Sequence, residues 1–202
     1  MDKKILLDDH RGQLIYYPQV FSPDYFEQFD QGIAWQQDAI KIFGRIVPLP
    51  RQTAWYGDSG VTYKYSGIVN HPKPWTPLLL EIKSRVEELS GALFNSVLLN
   101  RYAHGKDYQG YHADDEPELG DRPLIASVSF GATRIFRLKE KRGEKRIGIQ
   151  LEPGSVLIMA GALQTFFVHG LPKATKVIEP RINLTFRRIV TTIPSRVSVR
   201  SI

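Results

Sequence analysis

Apolar residues follow two different periods along the chain. Helical spacing, with apolar side chains at intervals of three and four, predicts helices over residues 22–32 and 76–90. Each predicted helix begins with a serine or threonine that can cap it, followed by a proline that suits the first turn. Gly91 is in place to end the second helix. The first half of the chain is therefore expected to contain both helices.

After the second helix the apolar period becomes two, which is typical of strands with one buried face. The predicted strands cover residues 97–102, 124–130, 133–138, 146–151, 155–159, 165–169 and 181–189. Successive short strands of this kind indicate an antiparallel sandwich or barrel. The sequence RLKEKRGEKR, at residues 137–146, predicts a basic hairpin with Gly143 at its tip.

The size and composition fit one globular domain. Of its 202 residues, 42% are hydrophobic, and no linker-like segment divides the chain. We interpret residues 1 to about 95 as an N-terminal extension over a β core at about residues 96–190. The apolar runs are too short for a signal peptide or a membrane span, so we expect no membrane partner, and we expect a monomer.

Two features of the composition restrict the chemistry. The absence of cysteine excludes disulfides and thiolate ligands, so any metal must be bound by His, Asp or Glu. The net charge of +6 is compatible with a polyanionic partner such as nucleic acid, although many basic proteins bind no polyanion.

The densest group of chemically useful residues is YHADDEPELGD, at residues 111–121. In extended backbone His112 and Asp114 point the same way and can contact one ion. His169 ends a predicted strand and could complete a set of two histidines and one carboxylate, which leaves open positions on Fe(II). Spacing alone leaves the alternative open that His112 is a surface histidine beside solvated acids.

The last predicted strand has one polar face and one apolar face. Its polar positions are Arg181, Asn183, Thr185 and Arg187. The same alternation places Asn100 and Tyr102 on one face of an earlier strand. These faces are either solvated or line a polar interior. In the second case Arg181, whose guanidinium matches a carboxylate, could bind a dicarboxylate that also chelates the metal.

Four motifs together resemble the AlkB family of nucleic-acid dealkylating dioxygenases. In chain order they are N-x-Y at residues 100–102, H-x-D-D-E at 112–116, the single His169, and R-x-N-x-T-F-R at 181–187. Further similarity to the branch that acts on DNA covers YGDSG at residues 56–60, PKPW at 72–75 and SVSFGA at 127–132. The resemblance therefore extends over most of the chain.

The resemblance implies a mainly β protein with flanking helices, in which a double-stranded β-helix, or jelly roll, carries an N-terminal α/β nucleotide-recognition extension. It implies Fe(II) bound by His112, Asp114 and His169, with O2 as the oxidant. It also implies 2-oxoglutarate held by Arg181, in a pocket completed by Asn100, Tyr102, Thr185 and Arg187, of which Arg187 also belongs to the catalytic set. Decarboxylation to succinate is then coupled to oxidation of an N-methyl group, which leaves as formaldehyde.

The resemblance also suggests substrate-binding residues. A base methylated at N1 of adenine or N3 of cytosine is cationic, so Asp115 and Glu116 are candidates to bind it. Tyr65, with Tyr63 nearby, matches the aromatic residue that stacks on the extruded base, and Phe43 matches the hydrophobic finger inserted into a duplex. The alternatives are solvated acids, packing tyrosines and a buried hairpin phenylalanine. The basic hairpin would contact phosphates.

The leading hypothesis is a DNA-repair dioxygenase that demethylates 1-methyladenine and 3-methylcytosine, with alkylated DNA as its partner. The alternatives are a demethylase of RNA or another methylated substrate, and a nucleic-acid-binding jelly roll without turnover. The expected location is the cytoplasm, with the nucleoid, for a bacterial protein and the nucleus for a eukaryotic one.

Overall fold

The computed structural model describes residues 2–42, 45–65 and 68–190. Its N-terminal elements are β1 (Lys4–Asp9), β2 (Gly12–Tyr17), α1 (Tyr25–Gly32), β3 (Ala39–Ile42), β4 (Arg45–Pro48), β5 (Gln52–Gly57), β6 (Tyr63–Tyr65), β7 (Ile68–Asn70) and α2 (Pro77–Ser90). The elements that follow are β8 (Ser96–Tyr102), β9 (Gln109–His112), β10 (Ile125–Gly131), β11 (Arg134–Glu140), β12 (Arg146–Leu151), β13 (Val156–Ala160), α3 (Leu163–Phe166), β14 (Phe167–Leu171) and β15 (Arg181–Arg187).

Two antiparallel sheets form the predicted jelly roll. The major sheet has the spatial order β1-β2-β13-β10-β15-β8-β5, and the minor sheet has the order β12-β11-β14-β9. Two small hairpins, β3 with β4 and β6 with β7, lie outside these sheets. The mainly β fold class with flanking helices is confirmed.

The two faces of the major sheet bury different kinds of side chain. On the outer face, the apolar positions of β8, β10, β13 and β15 pack against α1 and α2 in one large cluster that includes Phe29, Leu79 and Phe130. On the inner face, Ile125 and Leu157 pack against Leu138 of the minor sheet at one end. The remainder of the inner face is buried but polar, and it lines the cavity described below.

The polar face of the last strand is therefore not solvated. Arg181 is 2% exposed, and Asn183, Thr185, Asn100 and Tyr102 are also buried. Antiparallel pairing of β15 with β8 places Asn183 opposite Asn100 and Arg181 opposite Tyr102. Two polar-faced strands thus lie side by side inside the jelly roll.

The N-terminal part contributes strands to the same sheet as the core. β2 pairs with β13, and β5 pairs with β8. The sequence pattern did not predict β1 or β2. On the edge strand β1 only Leu7 is buried and the other side chains are largely polar or exposed, whereas β2 is an internal strand that buries Leu14 and Tyr16. The extension is thus partly continuous with the major sheet.

The structure confirms the second predicted helix and corrects the first. At α2 the Thr76 side chain accepts a hydrogen bond from the Leu79 N–H, and Gly91 ends the helix with φ of 68°. By contrast α1 begins at Tyr25 rather than Ser22, because Ser22 donates to the Asp24 carboxylate and caps no helical N–H.

Two strand boundaries also differ from prediction. Residues 163–166 form the short helix α3, so β14 begins at Phe167 instead of Thr165. β15 ends at Arg187, because Ile189 leaves the sheet and donates its N–H to the Asn95 side chain. The basic hairpin is confirmed, since β11 pairs with β12 and Gly143 lies in the turn. Within the described residues, no helix has both the length and the apolar character needed to cross a membrane.

Phe130 offers a direct test of the outer core. Its ring is fully buried against Phe21, Tyr25 and Phe29. We expect Phe130→Ala to lower the free energy of unfolding by about 3–5 kcal/mol, because transfer and cavity costs add. Urea denaturation measures this difference. Ile135→Ala, at a position that is 44% exposed, is the control and should change stability by roughly 0.5 kcal/mol or less. Equal effects of the two substitutions would contradict this packing.

Candidate metal and co-substrate site

Strand pairing brings together the three predicted metal-binding side chains. β9 and β14 are neighbours in the minor sheet, with His112 directly opposite His169. Asp114 follows β9 by two residues and is buried beneath the two imidazoles. One donor atom from each residue lies within 4.8 Å of the others. Residues far apart in sequence thus form one compact cluster.

Asp114 is the acid of this cluster and is buried, and its two carboxylate oxygens differ in their hydrogen bonds. Oδ1 accepts a 2.7 Å hydrogen bond from Arg187. Oδ2 lies 3.7 Å from His169 Nε2 and has no hydrogen-bond partner in the described part of the chain. Burial favours the neutral acid, but the positive charge of Arg187 outweighs it and lowers the pKa of Asp114 below its ordinary value. Asp114 is therefore a charged ligand with a free oxygen.

Both imidazoles are prepared to bind a cation through Nε2. Burial lowers the pKa of His169 to about 4, so that the ring is neutral and its lone pair is available near pH 7. For His112, the 2.9 Å distance between Nδ1 and the Gly110 carbonyl oxygen places the proton on Nδ1. Its Nε2 then faces Asp114 Oδ1 at 3.9 Å.

Gln164 fixes the position of the carboxylate and was missed by sequence reasoning. Its Oε1 accepts a 3.0 Å hydrogen bond from the Asp114 backbone N–H, and its side chain is buried. Gln164 lies in α3, immediately before the strand that carries His169. Because this segment was predicted to be a loop leading into a strand, nothing in the pattern indicated an inward-pointing glutamine.

The donor set fits a divalent iron site. Two imidazoles and one carboxylate form the ligand set that Fe(II) oxygenases use, and this set leaves further coordination positions open. The free Oδ2 of Asp114 is an observation that a bound cation would explain. His10, His71 and His104 do not take part in a cluster of this kind within the described residues.

Arg181 lies on the wall of the same cavity as the cluster. Its Nη2 donates to Ser129 Oγ at 2.8 Å, and its guanidinium carbon is 5.7 Å from the Tyr102 ring centroid. Burial lowers the pKa of Arg181 to about 10. In the described part of the chain it has no carboxylate partner, and its Nε has no hydrogen-bond partner. A buried cation without an anion is a binding site for a carboxylate ligand.

Hydrogen bonds hold the remaining cavity residues in place. Thr185 Oγ1 donates to Asn183 Oδ1 at 2.9 Å, and Asn183 donates to Ser127 Oγ at 2.7 Å. Asn100 Oδ1 accepts from Arg51 Nε at 2.7 Å. Sequence reasoning missed Arg51, Ser127 and Ser129. The motif SVSFGA contains both serines but gave no indication that they face the interior.

The structure describes only some of the predicted substrate-binding residues. Asp115 is exposed and forms a 3.2 Å ion pair with Lys141 of the basic hairpin, and Glu116 is partly buried on the same loop. Tyr63 and Tyr65 lie on β6, but their side chains are outside the described part of the structure. Phe43 lies outside the described residues altogether.

Comparisons with known proteins agree with this geometry. Residues 13–187 match the family model of the 2OG-Fe(II) oxygenase superfamily. The chain is 43% identical over 178 residues to DNA oxidative demethylase ALKBH2 of Mus musculus, covering 83% of this chain and 74% of that protein. It is also 43% identical over 173 residues to alpha-ketoglutarate-dependent dioxygenase alkB homolog 3 of Homo sapiens, covering 81% of this chain and 60% of that protein. A solved structure, described as that of OsALKBH1, shares the fold with a TM-score of 0.66 at 16% identity, covering 92% of this chain and 100% of that chain.

The Arg187–Asp114 pair makes a testable contribution to stability. In metal-free protein kept in EDTA, we expect Arg187→Met to lower the free energy of unfolding by about 3 kcal/mol, because the buried carboxylate loses its charged partner. Adding Asp114→Asn to that variant should restore part of the loss, since the unpaired charge is then removed. Urea denaturation of both variants measures this. The pairing is contradicted if the double variant is less stable than Arg187→Met alone.

Proposed function

Because this chain belongs to the AlkB family of Fe(II)- and 2-oxoglutarate-dependent dioxygenases, we propose that it repairs DNA by oxidative demethylation of base nitrogens. The proposed lesions are 1-methyladenine and 3-methylcytosine. The proposal rests on one cavity lined both by the His112–Asp114–His169 cluster and by the buried Arg181, which has no carboxylate partner among the described residues. Relatives named DNA oxidative demethylase support DNA as the substrate class.

His112, Asp114 and His169 are the proposed iron ligands. When bound, iron and 2-oxoglutarate supply the oxidising power that hydroxylates the methyl group with O2, yielding succinate, and the hydroxymethyl product releases formaldehyde. The role of Arg187 is to keep Asp114 ionised through the 2.7 Å hydrogen bond. His169, neutral because of its burial, offers a lone pair without having to lose a proton.

Arg181 is the proposed partner of the far carboxylate of 2-oxoglutarate. The guanidinium is already removed from water and has no carboxylate partner among the described residues. A bound carboxylate would therefore form its ion pair. Asn100, Tyr102, Thr185 and Arg187 complete the proposed co-substrate pocket, and all four line the cavity. A metal cluster and an arginine on the wall of one cavity favour a ligand with two acidic groups.

The proposed lesion-binding residues are two acids, Asp115 and Glu116, and three aromatic residues. Asp115 and Glu116 would stabilise the positive charge of a base methylated at a pairing nitrogen. Tyr65, with Tyr63, is proposed to stack on the extruded base, and Phe43 is proposed to fill the gap in the duplex. The basic hairpin around Lys141 would contact phosphates without reading sequence.

The proposal also covers the oligomeric state, the location and the roles of the two parts of the chain. The enzyme would act as a monomer where DNA is found, at the nucleoid or in the nucleus. Residues 1 to about 95 would recognise nucleotides, while residues from about 96 to 190 provide the catalytic core. The alternative of a binding protein without turnover is disfavoured because the metal cluster and the carboxylate-binding arginine are both present.

The reaction is tested by mass spectrometry of oligonucleotides that each carry one defined methyl lesion. With Fe(II), ascorbate and 2-oxoglutarate we expect the methyl group to be lost from 1-methyladenine and 3-methylcytosine, and no loss without 2-oxoglutarate. Asp114→Ala should abolish the reaction, whereas His10→Ala should retain it. Loss of the methyl group from DNA supports the proposal. If the lesions stay intact in DNA, the proposal is refuted, and loss from RNA alone would then favour the RNA demethylase.

The role of Arg181 predicts a specific kinetic change. Arg181→Met should raise the KM for 2-oxoglutarate at least tenfold, because a charge-assisted bidentate contact is lost. Turnover coupled to succinate formation measures the KM. The exposed Arg85→Met serves as the control and should leave it unchanged. An unaltered KM in folded Arg181→Met would show that the far carboxylate binds elsewhere.

The role of Asp115 predicts a dependence on substrate charge. Asp115→Asn should lower kcat/KM about fivefold for cationic 3-methylcytosine, as an ion pair near the surface is worth about 1 kcal/mol. The substitution should lower kcat/KM for neutral 3-methylthymine much less. Asp121→Asn, an exposed acid further along the same loop, is the control. If both lesions are affected equally, Asp115 does not sense the charge of the base.

A further inference from the structure

Gln109 is a polar residue of the cavity that the proposed function leaves without a role. It begins β9, three residues before His112, and lines the cavity with the metal cluster and Arg181. Its Nε2 lies 3.4 Å from His112 Nδ1. Its Oε1 is buried and has no hydrogen-bond partner among the described residues. A buried amide oxygen without a partner, on a side chain that lines a polar cavity, requires an explanation.

The proton on His112 decides how this amide is oriented. His112 Nδ1 is 2.9 Å from the Gly110 carbonyl, so Nδ1 carries the proton and Nε2 is left for the metal. With Gln109 Nε2 at 3.4 Å, an amide NH2 and a ring N–H then face each other as two donors. Rotating the amide by half a turn exchanges oxygen and nitrogen, which are nearly indistinguishable in shape. The oxygen then accepts from Nδ1, and the NH2 occupies the buried position of the unpaired oxygen.

We infer that Gln109 is a positioning residue with two tasks: its amide oxygen orients His112, and its NH2 donates a hydrogen bond to the 2-oxo acid bound in the cavity. This inference rests on the proposed function. The first task follows from the shared contact with Nδ1, since a second acceptor restricts rotation of the ring and makes Nε2 a better ligand. The second follows from the position that the NH2 takes on the cavity lining, because three arginines and one carboxylate line the cavity, which therefore attracts an anion.

Three substitutions separate the two tasks. Gln109→Met keeps the size of the side chain and removes both the acceptor and the donor. Gln109→Glu keeps an acceptor for His112 but replaces the donor by a negative charge. Gln150→Met is the control, because Gln150 is an exposed glutamine on a strand of the same sheet.

Binding is measured without turnover, first with Mn(II) alone and then with 2-oxoglutarate added to the Mn(II) protein, with thermal unfolding as a check on folding. We expect Gln109→Met to lower the affinity for Mn(II) about tenfold, as is typical of residues that orient a metal ligand. The same substitution should lower the affinity for 2-oxoglutarate about fivefold, as expected for the loss of one hydrogen bond. Gln109→Glu should bind Mn(II) as tightly as the unaltered protein but weaken 2-oxoglutarate at least tenfold. The control should match the unaltered protein in both measurements.

Two results would overturn the inference. Unchanged affinities in Gln109→Met would remove both tasks, and equal loss of Mn(II) affinity in Gln109→Met and Gln109→Glu would remove the orienting acceptor. If the unaltered protein binds neither Mn(II) nor 2-oxoglutarate, the proposed function itself fails. Failure of the inference about Gln109 alone is thus distinguishable from failure of the site.

Discussion

The site depends on one buried negative charge, the carboxylate of Asp114. Burial by itself would neutralise this group, and a neutral acid would be a poor ligand for a divalent cation. Arg187 prevents this through a hydrogen bond to one oxygen, and the other oxygen, near His169, has no hydrogen-bond partner among the described residues. Gln164 holds the backbone of the same residue. The charge and the position of the Asp114 carboxylate are therefore determined by its contacts with Arg187 and Gln164.

The jelly roll makes this arrangement possible because its strands are antiparallel and its interior is divided. Pairing of β9 with β14 places two histidines opposite each other, although 56 positions separate them in the chain. The outer face of the major sheet, packed against α1 and α2, supplies apolar burial that supports the fold. The inner face can then carry Arg181 and Arg187 on a single strand, one near each end of the cavity. Stability and chemistry are thus assigned to opposite faces of the same strands.

Much of this could be predicted from the sequence. The period-two pattern gave seven strands of the core but not β9, and the capping signals of Thr76 and Gly91 gave α2, because both patterns depend on local rules. The polar face of β15 could not be identified as buried from alternation alone. Its burial depends on β8, which carries Asn100 and Tyr102 as neighbours, and on the minor sheet that covers it. Motif similarity supplied what periodicity did not.

The residues that sequence reasoning missed have a common cause. Arg51, Gln109 and Gln164 contact site residues from segments that look like ordinary polar loops or strand ends. Their orientation depends on which strands pair and on the irregular register between β9 and β14, neither of which a single sequence specifies. The edge strand β1 was missed because only Leu7 of its residues is buried, and edge strands need few buried residues. Phe43, and the side chains of Tyr63 and Tyr65, lie outside the described structure, so their proposed roles stay predictions.

The central claim is that one cavity binds Fe(II) through Asp114 and its two histidines while Arg181 holds the other end of 2-oxoglutarate. Anaerobic absorption spectroscopy tests it most directly, because a 2-oxo acid chelated to Fe(II) gives a visible charge-transfer band. The account predicts that the band forms with the unaltered protein, is absent in Asp114→Ala, and needs more 2-oxoglutarate in Arg181→Met. A folded protein that shows no band at saturating Fe(II) and 2-oxoglutarate would contradict it.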